Sequence, residues 1–105
     1  MASVLRVLSG VWEYREGALV YDLMLDDHGN GSYDWHVGFF RTTSLSHDHW
    51  VGTWQQSGND REGGFEAQLA DDGLSAEGRW WYTRIGSERK LLETGGHFSL
   101  VRGDS

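Results

Sequence analysis

The first chemistry the sequence offers is a pair of imidazoles in His47-Asp48-His49. In an extended strand that spacing puts both rings on one face, an arrangement used to hold metal ions. Such a pair needs further ligands, yet Thr53 and Trp54 stand a short way on and no second histidine pair comes after them. The motif therefore reads as a polar strand start, and no metal is expected. Asp26-Asp27-His28-Gly29-Asn30-Gly31 is rich in calcium-type oxygens. Its His28 occupies a ligand position and Val37 stands where the bidentate glutamate belongs, so it reads as a turn. With no cysteine, thiol chemistry is excluded. No Gly-x-Ser-x-Gly elbow, phosphate loop or dinucleotide fingerprint is present. The charged loop Asn59-Asp60-Arg61-Glu62 reads chiefly as solvated turn.

What remains is a surplus of rings: six Trp, four Tyr and four Phe. Each buries on the order of 150–250 Å², enough to build a compact core without a metal or disulfide. If Trp12 points inward, Tyr14, Leu23, Tyr33, Trp35, Trp50, Trp54, Phe65, Trp80, Tyr82 and Phe98 can do so too. They then either fill the interior or line a pocket.

Positioning an inward set of this kind requires strands, and the apolar period is two almost throughout. Leu19, Tyr21, Leu23 and Leu25 alternate with Val20, Asp22, Met24 and Asp26; Tyr33, Trp35, Val37 and Phe39 with Asp34, His36, Gly38 and Phe40. Phe65, Ala67 and Leu69 continue the pattern, as do Phe98 and Leu100. Asn30-Gly31 carries the signature of a tight hairpin corner, and Asp71-Asp72-Gly73 repeats it. Strands are expected at 9–16, 18–26, 31–41, 47–57, 63–70, 75–85 and 95–102, while 87–93 fits an eighth strand or a helical turn. The expected fold is all-β: an antiparallel meander of seven or eight strands closed into a small barrel, since closure removes exposed edges. Eight strands leave an interior that side chains just fill, or that holds one small ligand.

An internal echo supports a meander of repeated hairpins. Gly10-Val11-Trp12, then Tyr21, Leu25, Asp27 and Gly29, parallels Gly52-Thr53-Trp54, then Phe65, Leu69, Asp71 and Gly73. A partial third copy is Gly95-Gly96-His97-Phe98-Ser99-Leu100. Gly10-Val11-Trp12 on the first strand and Phe98-Ser99-Leu100-Val101-Arg102 on the last resemble the lipocalin and avidin group of calycin barrels. That resemblance implies that Trp12 plugs one barrel end with Arg102 packed on it. The chain is shorter than typical lipocalins and lacks their C-terminal helix, and a shared fold does not carry function.

Three functions stand as expectations. The first is binding of an apolar or aromatic small molecule, with Trp35, Trp50, Trp54, Phe65, Trp80 and Phe98 as wall and Tyr14, Tyr33, Gln56, Tyr82 and Arg84 orienting the ligand. The second is a cofactor-free cyclase or isomerase acting on a hydrophobic, polyketide-like intermediate. A cavity that fixes a reactive conformer needs few donors besides: here Tyr33, Tyr82 and Arg84, with His36 or His49 as proton carrier. The third is a protein-interaction module. Phe39-Phe40 and Trp80-Trp81 are adjacent pairs, so one ring of each faces outward; Phe40 and either Trp80 or Trp81 are expected to, buried in a homodimer.

A chain of 105 residues reads as one domain, 1–105. The start lacks the apolar run of a signal peptide, and no window approaches the ~20 apolar residues of a membrane span. A cytoplasmic protein is expected. A net charge of −7 repels polyphosphate, and the basic cluster Arg79, Arg84, Arg89 and Lys90 is interleaved with Glu77 and Glu88. Neither nucleic acid, membrane nor cofactor is expected as a partner.

Overall fold

Alternating side chains become alternating faces, and the faces curl shut. The computed structural model describes residues 4–87 and 95–103. A short 3₁₀ helix, Val4–Leu8, leads into β1 (Gly10–Glu16), β2 (Leu19–Leu25), β3 (Gly31–Tyr33), β4 (Gly38–Ser46), β5 (His49–Gln56), β6 (Arg61–Leu69), β7 (Ser75–Ile85) and β8 (Gly96–Arg102). Each strand pairs antiparallel with the next, and β8 returns to β1 through Trp12↔Arg102 and Tyr14↔Leu100. The result is a closed eight-stranded meander barrel. Of the segment left open at 87–93, Ser87 lies in a turn and the rest falls outside the described residues.

The expected single strand 31–41 is two strands. The chain reverses through 34–37, with His36 and Val37 in the left-handed region at φ 53° and 52°. This corner contains neither glycine nor proline, so its apolar residues continue the strand pattern and conceal it. Tyr33 and Gly38 face each other across it. A Cβ on Gly38 would stand 1.9 Å from the Tyr33 ring, so the missing side chain is what lets the ring lie there. The reversal also flips the facing along β4. Phe40 points inward at 4 % exposure and Phe39 outward at 40 %, against the expectation of an outward Phe40. Of the second pair, Trp80 lines the interior and the Arg79 guanidinium lies over the Trp81 ring at 5.1 Å.

Two corners also differ from expectation. Asn30-Gly31 is not the tight turn; Gly31 already pairs with Leu25, and the positive φ falls on Gly29 at 74°. The Asp26 carboxylate accepts the backbone N–H groups of His28 and Asn30, which widens the corner. A tight two-residue corner does form at His47-Asp48, at φ 52° and 64° between the paired Ser46 and His49. His47 and His49 are therefore not on one strand face, and the metal-like spacing dissolves.

The repeat is half real. Leu25 to Gly29 and Leu69 to Gly73 are equivalent corners: Gly29 N–H donates to Asp26 O, Gly73 N–H to Ala70 O, and Gly73 has φ 72°. Their tryptophans are not equivalent. Trp12 sits near the start of β1 beside the 3₁₀ helix, whereas Trp54 sits towards the opposite end of β5.

That helix end of the barrel is packed shut. Leu8, Trp12, Trp50, Leu23 and Leu100 are fully buried there. Trp12 donates its indole N–H to Leu8 O at 2.8 Å, and Trp50 donates to Thr42 Oγ1 at 2.9 Å, whose hydroxyl donates on to Gly29 O. The Arg102 guanidinium lies 4.1 Å from the Trp12 ring centroid and donates to Ser9 O, Val7 O and Gly73 O. This is the Trp–Arg plug that the calycin resemblance implies.

Strand lengths are uneven around the ring. β3 pairs with β2 only at Met24↔Ser32 and Leu25↔Gly31, so 19–22 has β1 on one side and no ladder on the other.

Candidate functional site

At the end opposite the plug the inward side chains do not meet. They enclose a cavity of 370 Å³. Phe40, Phe65 and Phe98, shared with the buried core, floor it; Tyr14, Tyr21, Tyr33, Trp54, Trp80 and Tyr82 form the wall; Trp35 and His36 stand on the rim. Close packing of the floor leaves the space above it. Phe65 lies against Gly52, where a Cβ would be 2.5 Å from the ring, and Phe40 stacks on Phe65 at 4.2 Å. The floor is thus two rings thick instead of a plug reaching to the mouth.

One side of the wall is a ladder of phenols. Tyr14 stacks on Tyr21 at 4.5 Å, Tyr21 on Tyr33 at 4.9 Å, and Tyr14 on Phe98 at 5.2 Å. Burial, then the nearby Tyr21 and Glu16, push the Tyr14 hydroxyl far above its ordinary value; burial, then Tyr33 and Glu16, do the same to Tyr21. Tyr33 is pushed up to about 12 by burial, partly offset by the amide that Gln56 donates to it. At neutral pH all three remain uncharged phenols. Tyr14 donates to Glu16 Oε1 at 2.9 Å, and Trp80 donates its indole N–H to Glu16 Oε2 at 2.9 Å.

The other side is a cluster of edge-to-face rings. Trp54, Trp80 and Tyr82 meet pairwise at centroid distances of 5.7, 5.5 and 5.0 Å. The Arg61 guanidinium lies 5.5 Å over the Tyr82 ring and donates to its oxygen at 3.1 Å. Asn59 Nδ2 donates to Gln56 Oε1 and Gln56 Nε2 to the Tyr33 oxygen, at 3.0 and 2.9 Å.

Three donors are left over. The Trp54 indole N–H, on a residue only 8 % exposed, has no partner among the described residues. Tyr33 and Tyr82 each receive a hydrogen bond on oxygen, and among the described residues neither hydroxyl proton meets an acceptor. The two indoles of the plugged end are both satisfied. A buried donor without an acceptor costs about 1–3 kcal/mol; the Trp54 indole N–H is such a donor, while Tyr82 is half-buried on the wall of the open cavity.

Of the residues singled out from sequence, Tyr14, Tyr33, Trp35, His36, Trp54, Gln56, Phe65, Trp80, Tyr82 and Phe98 line the cavity. Three lie away from it. Trp50 is part of the plugged end, because β5 runs upward from there and its ring packs on Trp12 at 5.5 Å. Arg84 turns to the loop between β5 and β6, donating to Asp60 Oδ1 and Gly86 O and pairing with Glu62 at 3.2 Å. Those two carboxylates push its guanidinium upward in pKa and hold it there. His49 sits on the outer wall, 3.4 Å from Glu66, which Arg79 also binds. The cavity adds Glu16, Leu19, Tyr21, Phe40, Asn59 and Arg61. Glu16 and Tyr21 carried a usable signal, since each continues the inward alternation of its strand, from Trp12 and Tyr14 and towards Leu23.

No protein-family model, curated protein or solved structure matches the chain. The fold is an eight-stranded antiparallel meander barrel, and the site is an aromatic cavity at its open end. Among the described residues no group of three or more His, Asp or Glu side chains could hold a metal ion, and no helix is long and apolar enough to cross a membrane.

Proposed function

We propose that the barrel binds a small aromatic molecule in its open-end cavity, through ring contacts and hydrogen bonds to an acceptor on the ligand. The observation that carries this reading is the contrast between the two ends. One is filled, with every indole N–H bonded; the other keeps 370 Å³ open and three donors without acceptors among the described residues. A cavity of that size falls at the small end of ligand pockets, roughly 300–1,000 Å³, and suits a bicyclic molecule. A ligand oxygen reaching Trp54, Tyr33 or Tyr82 replaces an unmet donor with a bonded one, while ring–ring contacts contribute about 0.5–1.5 kcal/mol each beyond area burial.

The test is a fluorescence titration with 1-naphthalenemethanol, a neutral bicycle carrying one oxygen. Saturable one-to-one binding is expected, weakened by Trp54→Ala and untouched by Trp81→Ala on the outer face. Absence of saturable binding in a panel of mono- and bicyclic aromatics, with the protein folded, overturns the reading.

The same three donors favour a second reading, a cyclase or isomerase that polarises a carbonyl of a hydrophobic, polyketide-like intermediate. His49, on the outer wall, takes no part in it, which leaves rim His36 as its histidine.

A further inference from the structure

Among the described residues Glu16 is the only acidic one lining the cavity, and its carboxylate is tightly held. Oε1 accepts from the Tyr14 hydroxyl and Oε2 from the Trp80 indole N–H. Strand β8 makes room for it: a Cβ on Gly96 would stand 2.6 Å from Oε2. Neutral donors fix its position without cancelling its charge, and among the described residues no Lys, Arg or His pairs with it. Each oxygen keeps a free lone pair. The cavity surface beside it is aromatic, formed by Tyr14, Tyr21 and Trp80.

Arg61, the cavity's cation, belongs to a different part of the wall. It sits on β6, over the Tyr82 ring, and β6 is separated from β1 by β7 and β8. The phenols beside Glu16 supply no second anion, since all of them are neutral at physiological pH. A fixed carboxylate beside electron-rich ring faces is complementary to an organic cation: the carboxylate pairs with an N–H and the rings with the positive charge. The protein's net charge of −7 steers such a ligand towards it.

We infer that the cavity's ligand is a protonated aromatic amine, its ammonium seated against Glu16 and its rings between the phenol ladder and the Trp54–Trp80–Tyr82 cluster. This rests on the small-molecule reading of the same cavity and adds the charge of the ligand.

A matched pair of probes separates the two. At pH 7, 1-naphthylmethylamine is cationic, and 1-naphthalenemethanol has nearly the same shape and no charge. Isothermal titration of the full chain is expected to give an affinity for the amine roughly tenfold or more above that for the alcohol, the scale of a partly desolvated cation–π and carboxylate contact. Glu16→Gln is expected to abolish that preference; thermal melts establish that the variant is folded. Should it fail to fold, the preference must instead fall with rising salt in the unaltered protein, and a salt-independent ratio counts against the inference. Equal affinity for the two probes overturns the inference and leaves the binding reading standing. No binding of either overturns both.

Discussion

At the scale of single residues, the cavity is defined by what its polar atoms lack. Tyr33 shows how such a group can be read in solution. Its hydroxyl is neutral because burial disfavours the phenolate, and its pKa is pushed up to about 12. Raised above the unfolded value near 10, it contributes stability that is fully present below pH 10 and lost as pH rises through about 12. Spectrophotometric titration is expected to show Tyr33 ionising late, together with loss of structure. Ionisation near pH 10 in the folded protein would mean that water already fills the wall around it. In the sequence, Tyr33 and Trp54 were legible as inward members of an alternating pattern. Their unmet hydrogen bonds were not, because satisfaction depends on strands 23 positions apart coming together, as Gln56 and Tyr33 do. The charge of Glu16 was visible; its setting needed Trp80, 64 positions away.

At the scale of elements, the decisive feature is the corner at 34–37. Strand alternation is a strong signal, and it carried the boundaries of β1, β2, β7 and β8 to within a residue or so. It failed where a turn is built from ordinary side chains. Trp35 falls in that corner at 44 % exposure, on the rim where it was expected on the wall, and the facing of Phe39 and Phe40 is exchanged. The corner is pinned by Tyr33 lying over Gly38. Gly38→Ala should therefore destabilise the fold by about 1–3 kcal/mol, the usual cost of overpacking, and displace the Tyr33 ring from its stack on Tyr21. Chemical denaturation together with the ring-current shifts of Tyr21 measures both. Unchanged stability and unchanged shifts would show that the corner holds without this contact.

At the scale of the whole molecule, the packed core and the aromatic cavity lie at opposite ends of the barrel. Trp50 belongs to the packed one, with Trp12, Phe40 and Phe65 against its ring. Trp50→Ala is expected to cost about 3–5 kcal/mol, as for other large core aromatics, while the surviving folded protein keeps its affinity for aromatic ligands. A variant that loses affinity with little loss of stability would place Trp50 functionally in the cavity instead. The plug was legible only through the resemblance of Gly10-Val11-Trp12 and Phe98-Ser99-Leu100-Val101-Arg102 to calycin barrels, which implies Arg102 packed on Trp12. Which of the remaining rings fill and which enclose was not legible, since period two specifies a face and not a height along the barrel.

The uneven strands give the cavity wall a seam. Along 19–22 no backbone ladder joins β2 to β3. What spans that stretch is the stack of Tyr21 on Tyr33, 4.9 Å apart. Parting a pair of rings costs about 0.5–1.5 kcal/mol, less than unzipping a run of main-chain hydrogen bonds at about 1 kcal/mol each. The wall is thus held more weakly along this seam than along its laddered strands, and its closure there depends on two phenol rings.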